Sequence, residues 1–365
     1  MSHKGRDTDG EVQRGSGLVD NTPVQPILDI LKQLVTGQPL SETQAEDTFV
    51  QVLSGTVDEA QISAVLALIA ARGPTVDELV GGARVMRRFV TPVPTPNNGV
   101  PVIDTCGTGG APKLFNVSTA GAIVTAAAAP GRVMVAKHGS LSRTGRGSAE
   151  VLQALGVNIA ASPVTQARCL EEIGLCFSFS VHHHPAMKHA AGPRKSLGFP
   201  TIFNLLGPLT NPAGARRQLV GAYNRELSLK LAETLARLGS DRAMVVTSHD
   251  GMDELTTTNT NLTYTVEGGT VTMRVVDAEH LGLPRTTVDR LQVQSLDEAV
   301  QAVRATISGE AGPMHDMVLL NAGAALFVAG LVRSLGEGVE TARETTASGR
   351  AVKTMQRLVE LSQSA

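Results

Sequence analysis

The chain has 365 residues, 42% of them hydrophobic, and a formal net charge of −2 at pH 7. That length and apolar content support one large or two smaller domains around a sizeable core. The near-neutral charge, the lack of a basic run, and an aromatic content of 3% without tryptophan exclude an electrostatic or base-stacking nucleic-acid binder.

In chain order, residues 1–22 are polar and of mixed charge, with no apolar stretch, and read as a disordered tail rather than a signal peptide. Residues 23–95 read as a small, all-helical domain. Ile27, Ile30, Leu31 and Leu34 recur at helical spacing. Ser41 with Gln44 and Thr75 with Glu78 have the form of capping boxes. Asp58 caps a further helix through Ile62, Val65, Leu66 and Ile69, which stops at Arg72-Gly73-Pro74. Thr91-Pro92-Val93-Pro94-Thr95-Pro96 is a linker. From residue 100 to 365 short β-branched runs alternate with helical stretches, the pattern of an α/β sheet covered by helices. Strands are predicted at 101–105, 132–137, 176–181, 218–222 and 243–248, with helices at 117–129, 147–156, 164–173 and 226–239 between them. Residues 263–266 and 270–275 form a hairpin around Glu267-Gly268-Gly269, and helices at 314–330 and 338–363 close the chain. No run reaches the roughly 18 apolar residues of a membrane helix. Three cysteines (Cys106, Cys169, Cys176) without CxxC spacing point to a reducing cytoplasm, not to disulfides or zinc.

Ligands of open α/β sheets bind beyond the carboxyl ends of the strands. Three polar sets fall there. In the first, Val102-Ile103-Asp104-Thr105 feeds Cys106-Gly107-Thr108-Gly109-Gly110, and Phe115-Asn116-Val117-Ser118-Thr119 opens a helix. Glycines let backbone N–H groups approach a ligand, and a helix N-terminus adds unpaired donors and positive potential, so this turn reads as a phosphate or pyrophosphate cradle. In the second, Lys137-His138-Gly139-Ser140 leads into a loop of hydroxyls, glycines and arginines suited to phosphate oxygens. In the third, Asp253 and Glu254 supply adjacent hard-oxygen ligands of the kind that hold Mg²⁺ together with substrate phosphates. His182, His183 and His184 have poor spacing for a metal; one imidazole lining a pocket with the other two solvated is the better reading. Arg194 has the fork geometry for a carboxylate. Cys106, beside the turn, reads as filler rather than nucleophile.

These motifs together resemble the anthranilate phosphoribosyltransferase family. The matching residues are Asp104-Thr105-Cys106-Gly107-Thr108-Gly109-Gly110, Phe115-Asn116-Val117-Ser118-Thr119, Lys137-His138-Gly139 and Gly147-Ser148-Ala149-Glu150. They continue with His183-His184-Pro185-Ala186-Met187-Lys188, the run from Phe203-Asn204 to Asn211-Pro212, and Asp250-Gly251-Met252-Asp253-Glu254, in order over about 24–360. The resemblance implies a small all-helical N-terminal domain on a larger α/β domain with a central, mostly parallel sheet. It implies a segment around 185–215 returning to the helical domain, and a homodimer formed through that domain. It implies transfer of phosphoribosyl from 5-phosphoribosyl 1-diphosphate to the amine of anthranilate, with release of diphosphate, in tryptophan biosynthesis. By the same resemblance Gly107, Gly110, Asn116, Val117, Ser118, Thr119 and Lys137 hold the donor. Ser118, Asp253 and Glu254 place Mg²⁺. Gly107, His138, Ser140, His184, Arg194, Gly207 and Pro208 form the anthranilate pocket. Lys137 and Arg194 supply charge stabilisation and positioning, with no membrane or nucleic-acid partner.

Two loops depart from the family's common form. Ala111-Pro112-Lys113 follows the glycines where Asp-Gly is usual, and Ser140-Leu141 follows Lys137-His138-Gly139 where Asn-Arg is usual; each loop is a residue shorter. Lys113, Arg143 and Arg146 are candidates for compensating phosphate contacts. Two other readings stand beside the transferase: a nucleoside phosphorylase of the same fold, and a paralogue that binds a phosphoribosyl ligand without turnover.

Overall fold

A computed structural model describes residues 25–112, 114–142 and 144–364; the predicted tail and the cations Lys113 and Arg143 lie outside them. The N-terminal helices are α1 (Ile27–Val35), α2 (Glu42–Ser54), α3 (Glu59–Arg72) and α4 (Val76–Arg88). Both predicted capping boxes form, and the Asp58 carboxylate accepts from the Gln61 N–H at 2.9 Å. Glu78 does more than cap α4. Its carboxylate is fully buried and accepts from the backbone of Thr75 (2.8 Å) and Leu40 (3.0 Å) and from Arg72 Nη2 (2.5 Å). A buried carboxylate is tolerable when hydrogen bonds replace its water, and here those bonds fasten three segments of the bundle.

The rest follows as β1 (Val102–Gly107), α5 (Val117–Ala128), β2 (Met134–Gly139), α6 (Ser148–Ala154), α7 (Pro163–Ile173) and β3 (Leu175–Phe179). Next come α8 (Ser180–His183), α9 (Lys188–Leu197), α10 (Ile202–Leu206), β4 (Arg217–Gly221), α11 (Arg225–Arg237) and β5 (Arg242–Ser248). Hairpin strands β6 (Asn261–Glu267) and β7 (Thr270–Val276) precede α12 (Leu296–Ile307), α13 (Pro313–Ala329), α14 (Leu335–Ala347) and α15 (Arg350–Gln363). The sheet order is β3-β2-β1-β4-β5-β6-β7. Strands β1 to β5 are parallel neighbours, and the hairpin adds two antiparallel strands at the edge.

Period-two alternation sends successive strand residues to opposite faces. Leu219, Met244 and Val246 join a core with α5, α13 and α15, whereas Val220, Ala243, Val245, Leu262 and Tyr264 join a second core. That second core runs through α11 into the N-terminal helices, because α11 packs on β5 and β6 on one side and on α4 on the other. Helix α9 packs on α2 and α3, and α10 on α3 and α4, so the chain returns to the bundle between β3 and β4.

The predicted strands and helices occur with shifted ends. Strand β2 runs on to Gly139, past Lys137, and β3 stops at Phe179, so the histidine run begins on a helical turn rather than a strand. The predicted single helix at 338–363 is two helices, because Gly349 adopts φ +73°, a left-handed conformation that ends α14 and starts α15 in a new direction. Helix α12 has no counterpart in the sequence reading. Among the described residues no helix is long and apolar enough to cross a membrane.

Helices α13 and α14 cross backbone to backbone at Gly323 and Gly338. A Cβ on Gly338 would stand 2.4 Å from the Gly323 carbonyl oxygen. Gly338→Ala is therefore expected to destabilise the protein by about 1–3 kcal/mol through overpacking, measured by urea denaturation; an unchanged midpoint would contradict this crossing.

Candidate active site

A cleft of about 890 Å³ opens at the carboxyl edge of β1, β2, β4 and β5, with α9 and the 198–204 segment on its far side. Among its lining residues are Gly107, Gly110, Asn116, Ser118, Lys137, His138, Ser140, Arg194, Asp253 and Glu254. The sequence reading had drawn these from segments up to 147 positions apart, the distance from Gly107 to Glu254.

The glycine turn is shaped by what presses on it. The Gly109 N–H donates to Asp253 Oδ2 at 3.1 Å. A Cβ on Gly107 would lie 2.9 Å from the same oxygen, and one on Gly110 would lie 3.1 Å from the Tyr223 ring. Beneath them, Gly221 at the end of β4 receives the Asp253 backbone; a Cβ there would lie 1.5 Å from the Asp253 carbonyl oxygen. The turn and the acidic loop thus fit together only because these positions are glycine. The acidic loop is also held from behind. Asn321 on α13 accepts from the Leu255 N–H (3.2 Å) and donates to the Leu255 carbonyl (2.7 Å).

Lys137 is almost wholly buried and donates to the Thr105 carbonyl (2.7 Å) and to Ser118 Oγ (3.1 Å). Next to it Asp104, fully buried, accepts from the His138 N–H (3.0 Å) and from the Asn211 amide (2.8 Å). Burial pushes the Asp104 carboxyl upward, opposed by the Lys137 charge and these hydrogen bonds. Cys106, which lines the cleft, is held well above the usual thiol range by burial and by Asp104, which disfavours a thiolate there.

Asn116 occupies the N-terminal position of α5 without capping it. Its amide nitrogen donates to the Arg146 carbonyl (3.1 Å), while its Oδ1 is buried with no partner among the described residues. Val117 and Thr119 do not line the cleft. Helical rotation turns Val117 into the sheet-side core, and Thr119 is buried, its hydroxyl without a partner among the described residues.

The three histidines separate. His182 is exposed and edge-on to Phe179 at 5.1 Å. His183 is not solvated as expected. It is buried, with Nδ1 at 2.8 Å from the Thr91 carbonyl and Nε2 at 3.0 Å from Gln166, and so fastens the linker to α7. His184 stands behind His138, ring centroids 5.1 Å apart, and neither Nε2 atom has a partner among the described residues. Burial and the neighbouring His184, His183 and Lys137 charges push His138 down to about 3; burial and His183 push His184 to about 4. Both rings are neutral at physiological pH. Gly207 borders open space and Pro208 is buried with its carbonyl taken by Gln218 (2.6 Å); neither is on the cleft wall. Arg194 lies over the Phe203 ring at 5.6 Å, and burial lowers its pKa.

Two family models match the chain, the glycosyl transferase helical bundle domain over residues 28–90 and the glycosyl transferase a/b domain over 99–352. Anthranilate phosphoribosyltransferase of Rubrobacter xylanophilus is 44% identical over 337 residues, which are 92% of this chain and 97% of that protein. The one from Thioalkalivibrio sulfidiphilus is 44% identical over 88% of this chain and 94% of its own length. The crystal structure of the Thermus thermophilus anthranilate phosphoribosyltransferase superposes with a TM-score of 0.85 at 38% identity, covering 92% of this chain and all of that one. The chain belongs to the anthranilate phosphoribosyltransferase family. It is a glycosyltransferase, built as a helical N-terminal domain with an α/β domain around a seven-stranded, mostly parallel sheet. The Saccharomyces cerevisiae anthranilate phosphoribosyltransferase solved with PRPP and Mg has the same fold, with a TM-score of 0.84 at 22% identity over 93% of this chain and 98% of that one.

Within this family framework, Asn321 and Phe199 line the cleft without having been singled out in the sequence, and Asn204, quoted only as part of a matching run, lines it too. Phe199, half-exposed just after Gly198, carried a faint signal. Asn321 carried none, because its helix is apolar on nearly every side. The neutral histidines give a stability signature. With folded pKa values near 3 and 4 against an ordinary 6.5, the unfolded chain binds more protons between those limits. Stability contributed by these rings is complete above pH 6.5 and falls as pH drops toward 4. Urea unfolding at pH 7 and pH 5 is expected to show this loss, reduced in His138→Gln; an equal loss in that variant would remove His138 as a source.

Proposed function

We propose that this chain transfers phosphoribosyl from 5-phosphoribosyl 1-diphosphate to the amine of anthranilate, releasing diphosphate, in the cytoplasmic biosynthesis of tryptophan. The observation that carries this is one cleft with two unlike walls. One wall, of glycine backbone, Ser118, Lys137, Asp253 and Glu254, suits a diphosphate; the other, with Arg194 and the neutral imidazole of His138 backed by that of His184, suits an aromatic carboxylate.

The donor set fits Mg²⁺. Asp253, Glu254 and the Ser118 hydroxyl are hard oxygens, and no group of three or more His, Cys, Asp and Glu able to hold a metal occurs among the described residues, as suits an ion completed by phosphate oxygens. Bound there, Mg²⁺ neutralises charge that grows on the departing diphosphate. The remaining work falls to this chain's groups. The close backbone approach that the glycine turn allows and the Lys137 ammonium stabilise the donor's negative charge. Asn116 Oδ1, buried and without a partner among the described residues, accepts from a hydroxyl of the phosphoribosyl donor. Arg194 engages the anthranilate carboxylate as a fork. His138, backed by His184 and like it held neutral, presents an aromatic surface and a ring nitrogen without adding positive charge beside Lys137 and Arg194. Ser140 borders the same region, and Gly207 and Pro208 back it. The amine is neutral near pH 7 and attacks C1 as the C1–oxygen bond to diphosphate breaks. The walls supply chiefly alignment, the entropy saving of holding two reactants in line.

Return of α9 and α10 to the bundle supports a helical domain of 23–95 with the 185–215 segment, beside an α/β domain of 100–365. Leu28 and Val35, 57% and 70% exposed on α1, support a homodimer through the helical domain. Light scattering is expected to give twice the 38.1 kDa chain mass.

Arg194→Ala is expected to raise the KM for anthranilate about ten-fold or more, the loss of a charged hydrogen-bond pair, with a smaller change for the donor. Loss of anthranilate fluorescence reports both; an unchanged anthranilate KM would take Arg194 out of the pocket. Asp253→Asn is expected to shift the Mg²⁺ dependence of the rate to higher concentration, and an unaltered titration would count against the metal assignment.

A further inference from the structure

A second cavity, of about 360 Å³, lies at the opposite edge of the sheet, where β4 and β5 begin. It forms where two chain crossings pass from the helical bundle to the sheet, the 90–95 linker and the 211–216 segment. These crossings are tied together by the Val93 N–H, which donates to the Pro212 carbonyl at 3.0 Å. Its walls include the apolar Val90, Val93, Pro212 and Leu238, and its polar lining includes the guanidiniums of Arg87 and Arg216, the hydroxyls of Thr95 and Ser240, and Asn211.

Arg87 uses only Nε, which donates to the Leu209 carbonyl at 2.8 Å; its two terminal nitrogens have no partner among the described residues. Arg87 is itself exposed to solvent, and desolvation together with the nearby Arg216 charge lowers its pKa, so the two guanidiniums border the same space. Arg216 spends its Nε on the exposed Asp241 (2.7 Å). Asp241 thus screens the outer side of the pair and leaves Arg87 as the stronger anchor. Pairs of guanidiniums with free terminal donors recognise oxyanions in a bidentate manner, and a few hundred Å³ of mainly apolar wall with a few polar groups has the form of a small-molecule site.

We propose that this cavity is a second ligand site, for a small organic anion with an apolar body and one carboxylate or phosphate head held between Arg87 and Arg216. Its position gives it a line to the cleft. Asn211 lines the cavity, and its amide donates both to Asp104 Oδ2 and to the Ala136 carbonyl (2.8 Å each), the groups beside Lys137 and His138. A bound anion also links α4 of the bundle to the start of β4 in the sheet.

The test is titration calorimetry of the full-length protein with benzoate, phenyl phosphate and the neutral benzyl alcohol, alongside crystals soaked in 4-bromobenzoate. Benzoate and phenyl phosphate are expected to bind and the alcohol not; the stronger of the two anions identifies the head group. Arg87→Gln is expected to weaken that binding about ten-fold or more, as for loss of hydrogen bonds to a charged group. If that variant does not fold, Arg216→Gln, at an exposed position, is expected to weaken it in the same direction. A bromine anomalous peak between Arg87 and Arg216 supports the site whatever reaction the cleft performs. No anion binding at millimolar concentration, unchanged affinity in the folded variants, or bromine only in the cleft overturns it.

Discussion

The buried carboxylate of Asp104 holds the active-site edge together. An unpaired carboxylate in the middle of a parallel sheet costs several kcal/mol, and this one is satisfied by the His138 N–H, the Asn211 amide and the nearby Lys137 charge. Each partner belongs to a different part of the machine. The His138 bond fixes the end of β2, and therefore where the Lys137 and His138 side chains enter the cleft. Asn211 sits on the segment that brings the chain back from the bundle to β4, so the same carboxylate sets how the wall carrying Arg194 is carried relative to the sheet.

Around this anchor the cleft separates fixed from absent charge. Lys137 and Arg194 are basic groups on its lining, while burial and the charges of neighbouring basic groups leave His138 and His184 as neutral rings. A site that must bring a diphosphate and a carboxylate into one cavity needs cations, but a further pair in van der Waals reach would repel those already there. The acidic loop completes the balance. Its place is fixed by packing against Gly107 and Gly221 and by Asn321 behind it, not by its own sequence.

Much of this was legible in the sequence. Caps at Ser41, Asp58 and Thr75, glycine turns, and apolar runs ending in polar residues are local signals, because they reflect hydrogen bonds and backbone preferences within a few residues. They identified the carboxyl edge of the sheet and ten of the cleft's lining residues. The differences from the sequence reading have separate physical causes. Val117 and Thr119 adjoin cleft-lining residues in sequence, but helical rotation leaves them buried off the cleft wall. His183 sits between an exposed and a pocket-backing histidine and was taken for a solvated one, because its partners Thr91 and Gln166 are far off in the chain. The break at Gly349 was a single-residue signal inside a strong helical period.

The sequence by itself determined the two-part architecture, the polar sets at the carboxyl ends of the strands, and the family to which they belong, since these rest on residue types at short, fixed spacings. Only the tertiary structure decided which neighbours face the cleft, which histidines stay neutral, and that Asp104 and Asn211 join the returning segment to the catalytic edge. It also alone revealed the cavity between Arg87 and Arg216. Those outcomes depend on burial and on contacts between residues a hundred or more positions apart, and desolvation and long-range packing leave no local mark on the chain.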